Sequence, residues 1–574
     1  MNFSIKKSGK YERAYIEQSV RKNGKVVSVM VESLGRVDDL LKEKGMTREE
    51  FVAWGKARAA ELNAQKADIQ ISLSVEKKIT KDEKRLYLAG YLFFQKMYTD
   101  MRMKEVIRKI REKYRFQYDL DAIISDLIFG QILEPGSKQS MYQTAQSFLE
   151  PPKYAQHAIY RALSVLAEES DTLQAEMFRN SHYLGRKDSK ILYYDCTNYF
   201  FEIEQEDDFR QYGKSKENRP LPIVQMGLFM DGDGIPLAFD LFSGRKNEQP
   251  SLKPLEKKII RDYGYEKFVV CTDAGLASDT NRAFNDIQGR AFLTTQSLKK
   301  VKEEDRERYM RDTGWKRLSD GKPVSDLSEI RMHPEEHLEE LYYKEDVYDS
   351  KRVIGQTILI TYSPKYAVYE KKIREGQIIR AETMLQNQSV RKSKKNPHDP
   401  GRFIGTLTTT ADGEVAERKS YYLDQEKIEA EAYYDGYYAV CTNLEYETVS
   451  QLLTISERRW EIEESFRIMK SDLKARPVHL SLEERIRAHF LICYMALFYL
   501  RMLEKKLGNK YTMDTILKTL RSYKVLKLED YGYLPAYTRT DLTDELHALF
   551  GFATDTQIVT KARMRSIIAG TKKV

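Results

Sequence analysis

The chain has 574 residues, 41% of them hydrophobic and 32% charged, with a net charge of +8. That length allows several domains, and that composition buries real cores, which excludes a disordered or fibrous protein. The modest basic excess fits a nucleic-acid partner without demanding one.

Residues 1–45 read as short strands around an Asn23-Gly24 turn, a β-ribbon. Its edges are basic: Lys6, Lys7, Lys10, Arg13, Arg21, Lys22 and Lys25 stand against Glu12 and Glu17. Such a run is a solvated face or a DNA contact. Residues 46–190 have helical periodicity, with breaks at Glu134-Pro-Gly136 and Glu150-Pro-Pro152. Helices broken by short turns suggest a DNA-binding domain, with a plain scaffold as the alternative.

From residue 191 the pattern changes to strands. Ile191–Phe201 is aromatic-rich and carries Asp195 near its middle. Leu221–Met230 and Ile235–Phe242 read as a hairpin around Asp231-Gly-Asp-Gly234, and Ser251–Tyr263 as a helix. A β-branched run from Lys267 ends at Asp273, followed by Ala274 and Gly275. A short helix from about Asp279 to Ile287 and a strand at Ala291–Thr295 complete this part. An Asp inside or just past a buried strand is costly unless it is paired or binds metal. Three meandering strands, a helix, then strand, helix and strand is the RNase H-like order. In that order the first and fourth strands lie side by side, which would make Asp195 and Asp273 neighbours.

Residues 301–440 lack sustained helical regularity and contain strand-like runs at Val353–Tyr362 and Gly436–Thr442. This stretch reads as a β-rich insertion. It holds a second basic run: Arg391, Lys392, Lys394, Lys395 and Arg402 against Asp399. His333 and His337 are spaced as in some zinc sites, but their linker is polar and no further ligand lies nearby, so zinc is not expected.

The segment Ser456–Lys470 reads as one helix. At 100° per residue it places Arg459, Glu463 and Lys470 on one stripe, beside an apolar stripe of Ile462, Phe466, Met469 and Leu473. An acid between two bases suits a site holding both metal and phosphate; an amphipathic helix with ion pairs is the plain alternative. Glu461 and Glu464 are rivals, but only Glu463 has a base four residues before and seven after. Asp279 rivals Asp273, and helix capping explains it better. Arg467 lies within reach of Glu463 or of DNA, and Trp460 reads as a packing residue. An apolar helix follows at Glu483–Leu507, then a mixed, largely helical end. Its longest apolar run, Phe490–Leu500, is too short to span a bilayer. The four cysteines, Cys196, Cys271, Cys441 and Cys493, form no C-x-x-C pair, and reduced cytosolic thiols are expected.

These residues together resemble the DDE transposases of bacterial insertion sequences, in the cut-and-paste branch with a β-rich insertion. The likeness covers the chain to about residue 510. That family's helix motif runs Tyr, two residues, Arg, three residues, Glu, six residues, Lys; Arg459, Glu463 and Lys470 match it, and Ser456 replaces the Tyr. Its basic Ser-Lys-x-x-Arg-Pro segment is matched by Ser215–Pro220, and its Asp-Ala-Gly-Leu by Asp273–Leu276.

The resemblance implies an α/β multidomain protein with an RNase H-like catalytic core split by the insertion. Its parts would be 191–300 and 441–510, preceded by the ribbon and the helical domain and followed by residues 511–574. It implies that Asp195, Asp273 and Glu463 are the catalytic and metal-binding triad. Three carboxylates repel one another at neutral pH, and two Mg²⁺ ions, with Mn²⁺ able to substitute, would neutralise them. It further implies DNA contacts from Arg459, Lys470, Arg467, Lys214, Lys216, Arg219, Arg245 and Lys246. The expected partners are double-stranded DNA, as transposon ends and target, and a second copy of the chain in a paired-end complex, with no membrane. The expected reaction is hydrolysis at the terminal repeats and joining of the 3′-OH to target DNA; relatives in this branch excise through a hairpin on the transposon end. The expected location is the cytoplasm, on the nucleoid. An RNase H-like nuclease and a non-catalytic DNA-binding derivative of a transposase are the alternatives.

Overall fold

The structure, a computed structural model, describes residues 1–22, 25–65, 74–187, 189–287, 289–387, 398–409, 415–445, 447–529 and 531–574. The expected Asn23-Gly24 turn and the basic positions 391–395 fall outside these residues. Contacts divide the chain into two units, 1–85 with 528–532, and 86–527 with 533–574.

In the first unit, β1 (Asn2–Ser8), β2 (Tyr11–Lys22) and β3 (Lys25–Arg36) form an antiparallel sheet in that order. Helices Val37–Lys44 and Arg48–Gln65 follow. Ala14, Val37 and Phe51 are buried together, and Phe51 meets Phe3 edge-on at 5.9 Å. A Cβ on Gly55 would collide with the Phe3 ring, so the absent side chain lets helix and sheet approach. The ribbon expected to end at residue 45 therefore continues into the helix that buries it, and the division falls after residue 85. A thin sheet needs a second layer to cover its apolar face.

The second unit opens with β4 (Leu86–Leu88) and helices running from Tyr91 to Asn180. Then come β5 (Ile191–Phe200), β6 (Ile223–Asp231), β7 (Pro236–Ser243), β8 (Phe268–Thr272) and β9 (Arg290–Thr295). The Asp231–Gly234 turn closes as expected, with Gly234 in the left-handed region at φ 80°. β5, β6 and β7 form an antiparallel meander, β8 runs parallel to β5, and β9 runs parallel to β8. The expected neighbourhood of the first and fourth strands is thus observed. Helix Leu252–Tyr263 carries the chain from β7 to β8 and buries Leu252, Leu255 and Ile259 against the sheet.

The inserted stretch contributes β10 (Lys316–Arg317), β11 (Tyr342–Tyr348), β12 (Gln356–Tyr362), β13 (Ile404–Thr409), β14 (Val415–Leu423) and β15 (Tyr437–Thr442). Rather than folding apart, β15 pairs with β9, and β12, β11 and β10 continue outward. One mixed sheet of nine strands results, in the order β10-β11-β12-β15-β9-β8-β5-β6-β7. The insertion covers the edge of β9 that would otherwise be open. β13 and β14 form a separate ribbon beside helix Pro364–Gln386.

Helix Glu483–Lys506 is buried along almost its whole length. It is long and apolar enough to cross a bilayer, but 94% of its most apolar window is buried inside the structure. A helix apolar all round needs partners all round. It finds them in helices Leu120–Leu133 and Gln156–Glu168, in β7, and in the helices after residue 512. The helical stretch expected as a domain of its own from 46 to 190 is therefore, from residue 86, part of one core with the C-terminal half. The chain ends with β16 (Lys524–Leu528), β17 (Gly532–Pro535) and β18 (Val559–Thr560), in a small sheet of order β18-β17-β16-β4. All four cysteines are free and buried.

Candidate active site

Strand register brings the two aspartates together. In the β5–β8 pair, Tyr193 lies opposite Cys271. Two residues further along each strand direction are Asp195 and Asp273, on the same face, because side chains alternate with period two. Asp273 is the first residue past β8. An Asp195 oxygen accepts from the Cys196 backbone N–H at 2.7 Å, and an Asp273 oxygen from that of Leu276 at 3.0 Å. Neither carboxylate has a Lys or Arg within ion-pair distance among the described residues. Burial pushes the Asp195 carboxyl up to about 6; Lys216 opposes the shift, and the charge of Asp273 adds to it.

The same face of β5 carries the helix with the third acid. Tyr193 Oη donates to the Ile455 carbonyl at 2.9 Å, and Tyr199 Oη lies 3.7 Å from Met469 Sδ. From Tyr193 to Tyr199 the strand rises about 20 Å, and from Ile455 to Met469 the helix rises about 21 Å. The two run side by side, with Asp195 and Glu463 both inside the matched span. The expected single helix is in fact three pieces: helix Val449–Glu457, helix Trp460–Arg467 and a π-helical turn, Ile468–Asp472. Its first break has a visible cause. The Ile455 carbonyl, which an unbroken ladder would give to the Arg459 N–H, takes the Tyr193 hydroxyl, and the Arg459 N–H turns to Ser456 at 3.4 Å. Ile462, Phe466, Met469 and Leu473 are all buried, as the apolar stripe requires.

Glu463 is exposed and makes no ion pair or hydrogen bond among the described residues. Its rivals are engaged: Glu461 with Arg458 at 3.0 Å and Glu464 with Arg467 at 2.7 Å. The helix at Asp279 is capped by Ser278, with Asp279 in its first turn. Asp195, Asp273 and Glu463 do not bring one oxygen each within 4.8 Å of one another. Asp195 and Asp273 fit a divalent cation: they are adjacent hard-oxygen donors that lack a salt bridge, and Asp195 is held up by burial. Glu463 lies exposed on the flanking helix, with no hydrogen bond or ion pair among the described residues.

The expected DNA-contact residues divide into two groups. Around the acids, Lys216 donates to the Cys196 carbonyl and lies 3.6 Å from Glu248. Arg459 donates to Thr295 Oγ1 at 2.8 Å. Lys470 lies 3.5 Å from Glu217 and 5.6 Å from the Tyr199 ring, and Arg476 also pairs with Glu217. Arg219 sits over Phe200 at 4.3 Å. Of the others, Arg245 is tied to Glu206 at 2.7 Å. Arg467 is tied to Glu464 and Asp472 rather than to Glu463. Lys214 and Lys246 are exposed, and their backbone carbonyls accept from Asn198 and Gln225.

Sequence reading missed Glu248 and Glu217. Glu248 adds to the negative field on Asp195. Its loop is tied to the Asp273 loop by Gln249, whose Nε2 donates to the Gly275 carbonyl at 2.9 Å. No spacing marks either residue; both act across the fold. Trp460, expected to pack, is 58% exposed. It lines a cleft of about 600 Å³ with Arg459, Glu463, Tyr366 and Tyr438. Ser456, at the motif's Tyr position, lies 2.9 Å from the hydroxyl of Tyr438 on β15.

No curated protein matches the chain. Among solved structures, it is similar to a cryo-EM structure of piggyBac transposase in a synaptic complex with hairpin DNA. The identity is 9% and the TM-score 0.36, over 84% of this chain and 85% of that one; a likeness at that level adds nothing to the assignment. The transposase DDE domain family matches residues 198–499, a stretch that holds Asp273 and Glu463 and begins just past Asp195. Members of that family generally use divalent metal ions. Since the match takes in more than half of the chain, the protein belongs to the family of transposases with a DDE domain.

Proposed function

We propose that the protein cleaves DNA at the ends of its own mobile element by divalent-metal-dependent hydrolysis and joins the freed 3′-OH to target DNA. The observation that carries this is the pair of carboxylates without an ion pair among the described residues, Asp195 on β5 and Asp273 just past the adjacent parallel β8, beside the helix of Glu463. The strand order β9-β8-β5-β6-β7, with its mixture of directions, supports an RNase H-like core. Asp195 and Asp273 would hold the cation, with Glu463 completing the set by turning inward. Two Mg²⁺ ions there would supply an activated water and stabilise the departing 3′ oxygen.

The chain's own residues have separable tasks. Lys216 balances the acidic pair and Glu248 while no DNA is present. Glu217 holds Lys470 and Arg476 at the same rim, and a DNA phosphate would compete with it for both cations. Arg459, fixed on Thr295, would steady the phosphate beside Glu463. We assign the protein to the insertion-sequence branch with a β-rich insertion, acting as a homodimer on two paired ends.

The test is cleavage of DNA bearing the element's own terminal repeats, with Mg²⁺. Asp195→Asn, Asp273→Asn and Glu463→Gln are each expected to lose at least ~10²-fold in rate, the scale of removing one preorganised electrostatic contact. Glu464→Gln should cut nearly as well as the parent. A Glu463→Gln variant of full activity would refute the triad, and equal cutting of random-sequence DNA would make the protein a general nuclease.

A further inference from the structure

A second set of metal-type donors lies in the C-terminal region. Helix Asp541–Phe550 starts at a capping box formed by Thr540 and Thr543. It carries Asp544 and His547 three residues apart, hence on one face. The chain then turns at Gly551, in the left-handed region at φ 68°, and brings Asp555 back to that face. One ligand atom from each of Asp544, His547 and Asp555 lies within 4.8 Å of the others, and among the described residues no other group of three does this.

His547 is the telling member. Its side chain is only 7% exposed, and Nδ1 is buried without a hydrogen-bond partner. Nδ1 faces Asp555 Oδ2 at 3.9 Å, too far for a hydrogen bond. Nε2 is occupied, lying 2.5 Å from Tyr523 Oη. That hydroxyl lies 2.6 Å from Thr554 Oγ1, which in turn lies 3.0 Å from Tyr537 Oη. Tyr523 Oη can accept a hydrogen bond from Nε2–H and donate onward along this row of hydroxyls. Nδ1 is then a bare lone pair facing Asp555, with Asp544 in the same cluster. An imidazole held by its outer N–H, with the inner nitrogen free, is how metal-binding histidines are oriented.

A lone pair and two carboxylates repel one another unless a cation lies between them. Arg539 relieves part of this, with Nε 2.8 Å and Nη2 3.0 Å from the two Asp544 oxygens and Nε 3.7 Å from Asp555. Its side chain is 64% exposed and does not satisfy Nδ1. We propose that Asp544, His547 and Asp555 bind a transition-metal ion of the zinc class, with Arg539 as the placeholder cation in the metal-free protein. One imidazole and two carboxylates suit Zn²⁺, with water as a fourth ligand, whereas Mg²⁺ prefers oxygen alone. The ion would tie the helix to the loop that follows it.

The experiment is calorimetric titration of ZnCl₂ into the full chain, stripped of metal with chelator and held in millimolar Mg²⁺. Asp195→Asn and Asp273→Asn are both present, so that the active-site acids do not contribute. The expected result is saturable uptake of one equivalent, with a rise in the thermal unfolding midpoint. Asp555→Asn, a near-isosteric change at a partly exposed side chain, is expected to weaken uptake at least ~10-fold, as losing metal-site support does. Arg539→Gln is expected to tighten it several-fold by removing the competitor. Absence of saturable uptake, or uptake that Asp555→Asn leaves unchanged, would overturn the site. Unchanged or weaker binding in Arg539→Gln would overturn the placeholder role. Circular dichroism of each variant confirms that the fold persists, and Asp555→Asn decides the matter even where His547→Gln fails to fold.

Discussion

Asp195 sits where burial and an acidic neighbour both oppose its ionisation, and its carboxyl is pushed up from 3.8 to about 6. A carboxyl raised in the folded state contributes most when protonated, below its unfolded value. That contribution is lost as pH rises from about 4 to about 6. Asp195→Asn should therefore stabilise the metal-free protein at pH 7 by about 1–2 kcal/mol, allowing for partial solvent exposure, and change little below pH 4. Urea unfolding at the two pH values checks this. Mg²⁺ must compete with that proton, so its stabilising shift of the melting temperature should be larger at pH 7.5 than at pH 5.5, and smaller in Asp195→Asn. Lys470 offers a second prediction at this scale. Lys470→Ala should weaken DNA binding and reduce the slope of log K against log salt by about 0.9, the yield of one phosphate contact. Glu217→Gln, which frees both Lys470 and Arg476, should strengthen binding in the same anisotropy measurement.

The segment from Val449 to Asp472 shows how an element is shaped by its neighbours. Its apolar stripe is legible from period alone, and all four of its predicted residues are buried. Its break is not legible, because no Gly or Pro interrupts it; the Tyr193 hydroxyl takes a carbonyl from the ladder. Two substitutions separate packing from geometry. Thr448→Ala removes the capping box of the first helix, and Tyr193→Phe removes the hydroxyl at its end. Each should cost about 1 kcal/mol in denaturant unfolding. Only Tyr193→Phe should also slow cleavage, since it alone lets the helix re-form its ladder and shift Glu463. Equal cleavage rates in the two variants would show that the break has no bearing on the site.

At the scale of the second unit, one helix organises the rest. Glu483–Lys506 is packed by helices from residues 86–184 and by the C-terminal helices, in one continuous core. Leu497 is fully buried in it. Leu497→Ala should cost about 2–5 kcal/mol. The loss should appear in hydrogen exchange as protection falling together in Leu120–Leu133, Gln156–Glu168 and Met513–Ser522. Protection lost in Glu483–Lys506 alone would mean that these helices form independent bodies. The nine-stranded sheet makes the same point, since the inserted strands are a continuation of the core through the β15–β9 pair.

By itself the sequence determined the strands of Asp195 and Asp273, the turn between β6 and β7, the helix between β7 and β8, and the stripe that sets Glu463 beside buried residues. These are local properties, written in period two, period 3.6 and turn chemistry. Motif spacing, again a matter of neighbours in the chain, singled out Glu463 over Glu461 and Glu464. The tertiary structure alone decided which charges meet: Lys216 with Glu248, and Lys470 and Arg476 with Glu217. It alone joined helices far apart in sequence into one core and drew the inserted strands onto the sheet. Desolvation and strand pairing depend on the packed surroundings of a residue, and those surroundings come from segments distant in the chain.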